Sequence, residues 1–243
     1  MGNLLEEFPH KWGMVVDQDL CTGCQACVTA CAMENNIPFV GEEDSGYGRT
    51  LHWIRVEREW EGEFPEVRAT PYQPVMCQQC EHAPCEPVCP VFASVHSQSQ
   101  LINLQVYNRC VGTRYCANNC PYQARVFNYR DFVLPDPLPN QLNPSVTVRR
   151  RGVMEKCTFC LQRIVRAEDQ AKAEGRVVRD GEVIPACAQA CPTGAIIFGR
   201  IDDPESEASQ AALNETGLKM LDDLGTLPSV TYLPGGSSHV RNS

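Results

Sequence analysis

Cysteines spaced C-x2-C-x2-C-x3-C constrain a chain more than its apolar pattern does, because thiols packed so closely must curl about a common centre. The stretch CTGCQACVTAC sets Cys21, Cys24, Cys27 and Cys31 in this way. CQQCEHAPCEPVCP repeats it with a wider middle gap, through Cys77, Cys80, Cys85 and Cys89. CVGTRYCANNCPY keeps Cys110, Cys116 and Cys120 but has Thr113 where a further thiol belongs. The fourth copy is split: Cys157 and Cys160 precede an insert, and CAQACPTGAI then supplies Cys187 and Cys191. These groups account for all 15 cysteines. Disulfide frameworks suit short secreted chains and spread their cysteines to close loops. Bridges between such near neighbours would close tiny loops and stabilise little. Clustered thiolates point to metal instead.

The first spacing is that of bacterial ferredoxins, in which three cysteines bind one cubane and the fourth binds another. Structural zinc commonly takes one C-x2-C pair per half-site, a poorer match. A thioredoxin-like dithiol would explain Cys157 and Cys160 and nothing else. His82 lies in the widened loop of the second motif. Histidine ligates iron where it replaces cysteine, and here every cysteine is present, so His82 is read as a loop residue.

A ferredoxin unit needs two motifs that exchange their fourth cysteines. The stretch from Cys89 to Cys110 is far shorter than those from Cys31 to Cys77 or from Cys120 to Cys157. Motifs two and three therefore pair, inside a unit made by motifs one and four. The expected ligand sets are Cys21, Cys24, Cys27 and Cys191; Cys31, Cys157, Cys160 and Cys187; Cys77, Cys80, Cys85 and Cys120; and Cys89, Cys110 and Cys116. The last set is one thiolate short, with Thr113 at the vacant corner. A hydroxyl is a poor ligand for a soft metal site, so the expectation is three [4Fe–4S] clusters and one [3Fe–4S] cluster. The other reading of this corner is a cubane completed by water or Thr113. The fold expected is α+β: two nested bacterial-ferredoxin-like units with β-hairpin and helical insertions. Residues 12–76 with 122–200 form the outer unit, 77–121 the inserted unit, and 201–243 a C-terminal helix and extended tail.

With four such motifs in this order, the chain resembles the iron–sulfur electron-transfer subunits of the complex iron–sulfur molybdoenzyme family, which includes dimethyl sulfoxide, polysulfide, tetrathionate and nitrate reductases. The likeness spans residues from about 12 to 200. The wording YNRCVGTRYCANNCPY is similar to the iron–sulfur region of alternative complex III, a quinol-oxidising complex. The resemblance implies the same nested pairing. It also implies an order along a wire, with the Cys21 set nearest a molybdopterin-type or related catalytic subunit. The Cys89 set would then lie nearest an integral membrane partner, quinone-interacting or cytochrome-bearing. Thr113 looks like the non-cysteine residue of members with a three-iron end cluster.

The formal charge of −9 argues against a nucleic-acid partner. No apolar run is long enough to span a membrane, and the N-terminal stretch lacks the features of an export signal. The expectation is a peripheral subunit of a membrane-bound complex, cytoplasmic or co-exported with a partner. No phosphate loop or nucleophile–base pair is legible, so no catalytic residue is expected. The alternatives are a free polyferredoxin and a structural zinc protein. Between the motifs, 51–70 reads as a hairpin turning at Glu61-Gly62-Glu63 and 161–175 as a helix. Residues 176–184 read as a hairpin about Asp180-Gly181. A helix is expected from Asp203-Pro204 to about residue 224, followed by an extended or disordered tail over 225–243. Arg149 to Arg151 read as a solvated strand edge, the usual meaning of a charge run, with charge tuning near Cys157 as the alternative.

Overall fold

The computed structural model describes residues 10–213 and 216–234. Its centre is strand β1, Trp12–Asp17, whose six residues are all buried. A run of Met, Val and Trp covered on both faces suits an inner strand. β1 pairs antiparallel with β10 (Ile196–Arg200), Trp12 opposite Arg200, and parallel with β11 (Val230–Leu233), Met14 opposite Val230. Trp12 stacks on Phe198 at 5.4 Å between ring centroids, and Phe159 meets the same ring edge-on at 5.2 Å. Gly13 is required by crowding, since a Cβ there would meet Ile201 Cγ2 at 2.5 Å.

The hairpin expected over 51–70 forms and is longer. β2 (Ile54–Glu57) pairs with β5 (Gln73–Met76), and β3 (Trp60–Glu61) with β4 (Arg68–Ala69) at its tip. β6 (Ser94–His96) pairs with β7 (Asn103–Gln105), and β8 (Val126–Phe127) with β9 (Met154–Glu155). The helices are short: α1 Ala26–Glu34, α2 Glu42–Gly46, α3 Tyr115–Asn118, α4 Leu161–Ala173, α5 Ala186–Gln189 and α6 Glu207–Ala212. α4 matches its expected span, with Ile164 and Ala171 on the buried face. Helices and strands are thus mixed throughout, as an α+β chain requires.

Three expectations are corrected. Residues 176–184 contain no strand. Arg176 instead grips Glu174 and Glu182 at 2.6 and 2.8 Å while Val178 and Val183 turn inward, so ion pairs replace a ladder. The helix from Asp203 begins later and ends sooner. Its cap is Ser206, whose hydroxyl accepts from Ser209 N at 3.0 Å, and α6 stops at Ala212. Within the tail, residues 226–233 are mostly buried, and Val230–Leu233 completes the central sheet. Residues 235–243 lie outside the described part.

Candidate iron–sulfur centres

The four loops share one backbone device. The residue before the second ligand position has a left-handed conformation in each: Gly23 (φ 70), Gln79 (φ 49), Gly112 (φ 75) and Phe159 (φ 55). The curl this imposes turns successive thiols toward one centre. The third loop keeps it although Thr113 has replaced the thiol. Gly112 and Arg114 (φ 63) repeat the geometry of Gly23 and Gln25 (φ 60), and a short helix follows in both cases. Gly112 has a second constraint, for a Cβ there would collide with the Gly152 carbonyl. Thr113 itself is exposed. The next cysteine, Cys116, is the second residue of α3, as Cys27 is of α1 and Cys187 of α5.

The thiols are brought together across long stretches of chain. One small cavity is lined by Cys21, Cys24, Cys27 and Cys191, and another by Cys77, Cys80, Cys85 and Cys120. Cys31 lies in the field of Cys157, Cys187 and Cys160, and Cys116 in that of Cys85 and Cys110. Among the described residues no three His, Cys, Asp or Glu side chains converge on a point suited to a single metal ion.

Burial and mutual repulsion set the state of the bare thiols. Burial pushes Cys27 up to about 11 and Cys157 to about 12. It holds Cys31 and Cys187 well above the ordinary thiol range, with neighbouring thiols adding to the effect. Cationic iron relieves both penalties, so the donor set suits a thiolate-ligated cluster and its loading releases protons. Cys89 and Cys191 behave otherwise. Burial again opposes ionisation, but backbone amides of the turn after each Cys-Pro, joined at Cys191 by the Thr193 hydroxyl, overcome it. Ala93 N reaches Cys89 Sγ at 3.1 Å and Ala195 N reaches Cys191 Sγ at 3.3 Å. Such hydrogen bonds to sulfur tune cluster potentials.

Several residues at these centres carried no signal in the sequence. Asn35 Nδ2 approaches Cys31 Sγ at 3.6 Å and Cys160 Sγ at 3.8 Å. Cys80 is pushed to about 12 chiefly by burial, with the Thr226 hydroxyl hydrogen-bonded to it and opposing. Thr226 belongs to the strap that leads into β11. Glu81 N and His82 N donate to the carbonyls of Leu227 and Thr226, and Tyr122 Oη meets Thr226 Oγ1 at 2.5 Å. His82 is exposed and engages the Gly225 carbonyl, in keeping with a loop role.

Arg149 corrects the expectation of a solvated edge. Its side chain is 1% exposed and pairs with the fully buried Glu155 at 2.9 Å. It donates to the carbonyls of Asn35, Asn36 and Thr147, and lies 5.0 Å from the Trp53 ring centroid. Arg150 and Arg151 are exposed, as expected.

A 4Fe-4S binding domain model matches residues 12–33 and a 4Fe-4S dicluster domain model matches 109–195. The iron–sulfur cluster-binding subunit of menaquinone reductase from Nitratidesulfovibrio vulgaris is 44% identical over 94% of this chain and 90% of its own length. Iron–sulfur subunit 1 of the Hdr-like menaquinol oxidoreductase of Archaeoglobus fulgidus is 37% identical over 92% and 83%. The B subunit of Wolinella succinogenes polysulfide reductase is 34% identical over 92% and 94%. Among the described residues no helix is long and apolar enough to cross a membrane.

Proposed function

The chain belongs to the family of iron–sulfur electron-transfer subunits of respiratory, quinone-linked reductases, and from that premise we propose that it holds a wire of three [4Fe–4S] clusters and one [3Fe–4S] cluster. The proposed ligands are Cys21, Cys24, Cys27 and Cys191; Cys31, Cys157, Cys160 and Cys187; Cys77, Cys80, Cys85 and Cys120; and Cys89, Cys110 and Cys116. Bound in these sets, the clusters supply one-electron transfer. The polypeptide fixes their separation, excludes water from the buried thiols and aims amides at the sulfurs. The proposed units are nested, a reading supported by the pairing of β1 with β10 from the two ends of the outer one. Two cavities lined by four cysteines each support the first and third sets, the field at Cys31 supports the second, and the nearness of Cys116 to Cys110 supports part of the fourth.

The observation that carries the three-iron assignment is the preserved curl at Gly112 and Arg114 around a residue with no thiol. A left-handed conformation is uncommon for a residue such as Arg114, and its persistence here supports a loop still shaped around a cluster. We place this set at the membrane end of the wire and the Cys21 set, with the exposed Cys24, at the catalytic end. The partners proposed are a molybdopterin-type or related catalytic subunit and a membrane subunit that exchanges electrons with a quinone. Menaquinone is favoured, since two relatives are named for menaquinone or menaquinol chemistry. The chain would sit peripherally in that complex.

The test is EPR of the anaerobically purified, oxidised protein with iron counted on the same sample. The expected result is a near-isotropic signal of one spin per chain with about 15 irons, lost in Thr113→Cys as the iron count rises by one. A silent wild-type spectrum with about 16 irons refutes the three-iron centre, and zinc in place of iron refutes the function.

A further inference from the structure

Two cations are buried beside the thiols, and among the described residues neither has a carboxylate in ion-pair contact. Arg125 is 6% exposed and Lys156 0%. Arg125 donates through Nη1 to Gln105 Oε1 at 2.7 Å. Through Nη2 it reaches Ser94 Oγ at 2.6 Å, Asn103 Oδ1 at 2.7 Å and Cys85 Sγ at 3.0 Å. It also hydrogen-bonds to Cys116. One guanidinium thus touches a thiol from each of two proposed ligand sets, a geometry suited to its rigid fork of donors. Lys156 Nζ donates to the main-chain carbonyls of Asn103 and Cys157. Gln79 completes the bridge, accepting from Asn103 N at 2.9 Å and donating to the Cys157 carbonyl at 2.8 Å.

Neutral amides, hydroxyls and carbonyls satisfy hydrogen bonds but do not cancel a charge, and an uncompensated buried cation is strongly destabilising. The nearest carboxylates are committed elsewhere. Glu86 lies in the field of Arg125, but His96 and Asn103 hold its carboxylate. Glu155, next to Lys156 in the chain, pairs with Arg149. The balancing charge must come from the thiolates and the iron–sulfur groups they carry.

We propose that Arg125 and Lys156 are fixed counter-charges that raise the reduction potentials of the centres they face. Arg125 serves the Cys85 and Cys116 sets together, and Lys156 serves the Cys157 set. Reduction places one further negative charge on a centre and leaves each cation unchanged, so the cation favours the reduced form. No cation acts on Cys21, Cys27 or Cys191, which are governed by burial, neighbouring thiols, backbone amides and the Thr193 hydroxyl. That set is the internal reference. Both are positioning residues, and the inference rests on the ligand sets proposed above.

The experiment is an anaerobic EPR redox titration of the full chain with its clusters, poised with dithionite and ferricyanide. Variants are Arg125→Gln, Arg125→Lys and Lys156→Met, each with iron counted. Arg125→Gln should shift the reduced-to-oxidised ratio of the three-iron signal at least tenfold toward oxidised at a fixed potential, about 59 mV for one electron. Arg125→Lys should keep the wild-type value, Lys156→Met should leave that signal in place while lowering one cubane signal, and the reference signal should move in none. If Arg125→Gln loses iron, Arg125→Lys decides: full iron and an unmoved potential support the charge, whereas a fall as large as tenfold overturns it. Full iron with unmoved potentials in Arg125→Gln, or an equal shift of every signal, also overturns the inference. Failure of the ligand sets looks different, because a wild-type sample without the three-iron signal is recognised before any variant is titrated.

Discussion

Replacing Arg149 by Met tests whether its buried pair with Glu155 organises the loops between the centres. The Arg149 and Glu155 side chains are 1% and 0% exposed and 2.9 Å apart. Glu155 also accepts from Trp53 Nε1 at 3.2 Å and Asn128 Nδ2 at 3.1 Å. Methionine fills the volume, leaves a buried carboxylate with two neutral donors and frees three main-chain carbonyls. Breaking such a pair from one side costs about 3–5 kcal/mol, and in a chain of this size that lowers the melting temperature by about 6–20 °C. Anaerobic thermal scans that follow cluster absorbance and far-UV dichroism together should show both transitions moving down in step. Adding Glu155→Gln should recover about half of the loss, because the amide keeps an acceptor for Trp53 and needs no counter-ion. A single variant within about 2 °C of wild type would refute the reasoning. A double variant less stable than the single one would show instead that Arg149 acts through the carbonyls of Asn35 and Asn36.

Three further outcomes are expected. Ser206→Ala removes the cap of α6 and should cost about 1 kcal/mol, read as a small fall in melting temperature with unchanged iron content. Deleting residues 229–243 removes β11 and its hold on Gln78 and Pro74 through Tyr232, so purified protein should carry fewer irons per chain; full iron would show that β11 is dispensable for loading. The Arg163 bond holds Glu34 below the usual carboxylate range, against the burial that opposes it. Its contribution is therefore present above the unfolded value and lost as pH falls through the lower folded one. Melting temperatures of wild type and Glu34→Gln should differ at neutral pH and converge in acid, and parallel curves would refute the assignment.

The cysteine loops were legible because each motif is local: spacing alone carries the curl at Gly23, Gln79, Gly112 and Phe159. α4 was legible from its apolar period, and the hairpin expected over 51–70 from its β-branched and aromatic residues. What escaped depends on partners distant in sequence. Arg149 read as solvated because nothing nearby marks its burial against Trp53 and Tyr107. Arg125 and Lys156 stand outside every motif, and nothing in the sequence brings Arg125 to Cys85 and Cys116 or Lys156 to the carbonyls of Asn103 and Cys157. Val230–Leu233 has good strand composition, but the Gly, Ser and Pro around it suggested an open tail. At Asp180-Gly181 the turn signal is real. Asp180 is spent on Glu207 N at 3.1 Å rather than on a ladder.

The pairing of β1 with β11 has a consequence for how the protein is made. The first described strand cannot find its parallel neighbour until nearly all of the described chain has left the ribosome, and Cys21, Cys24 and Cys27 cannot line their cavity with Cys191 until most of it has. The hold of Thr226 on Cys80 comes later still. Among the described residues β11 is the last strand to emerge, so the central sheet closes only after every cysteine has been made.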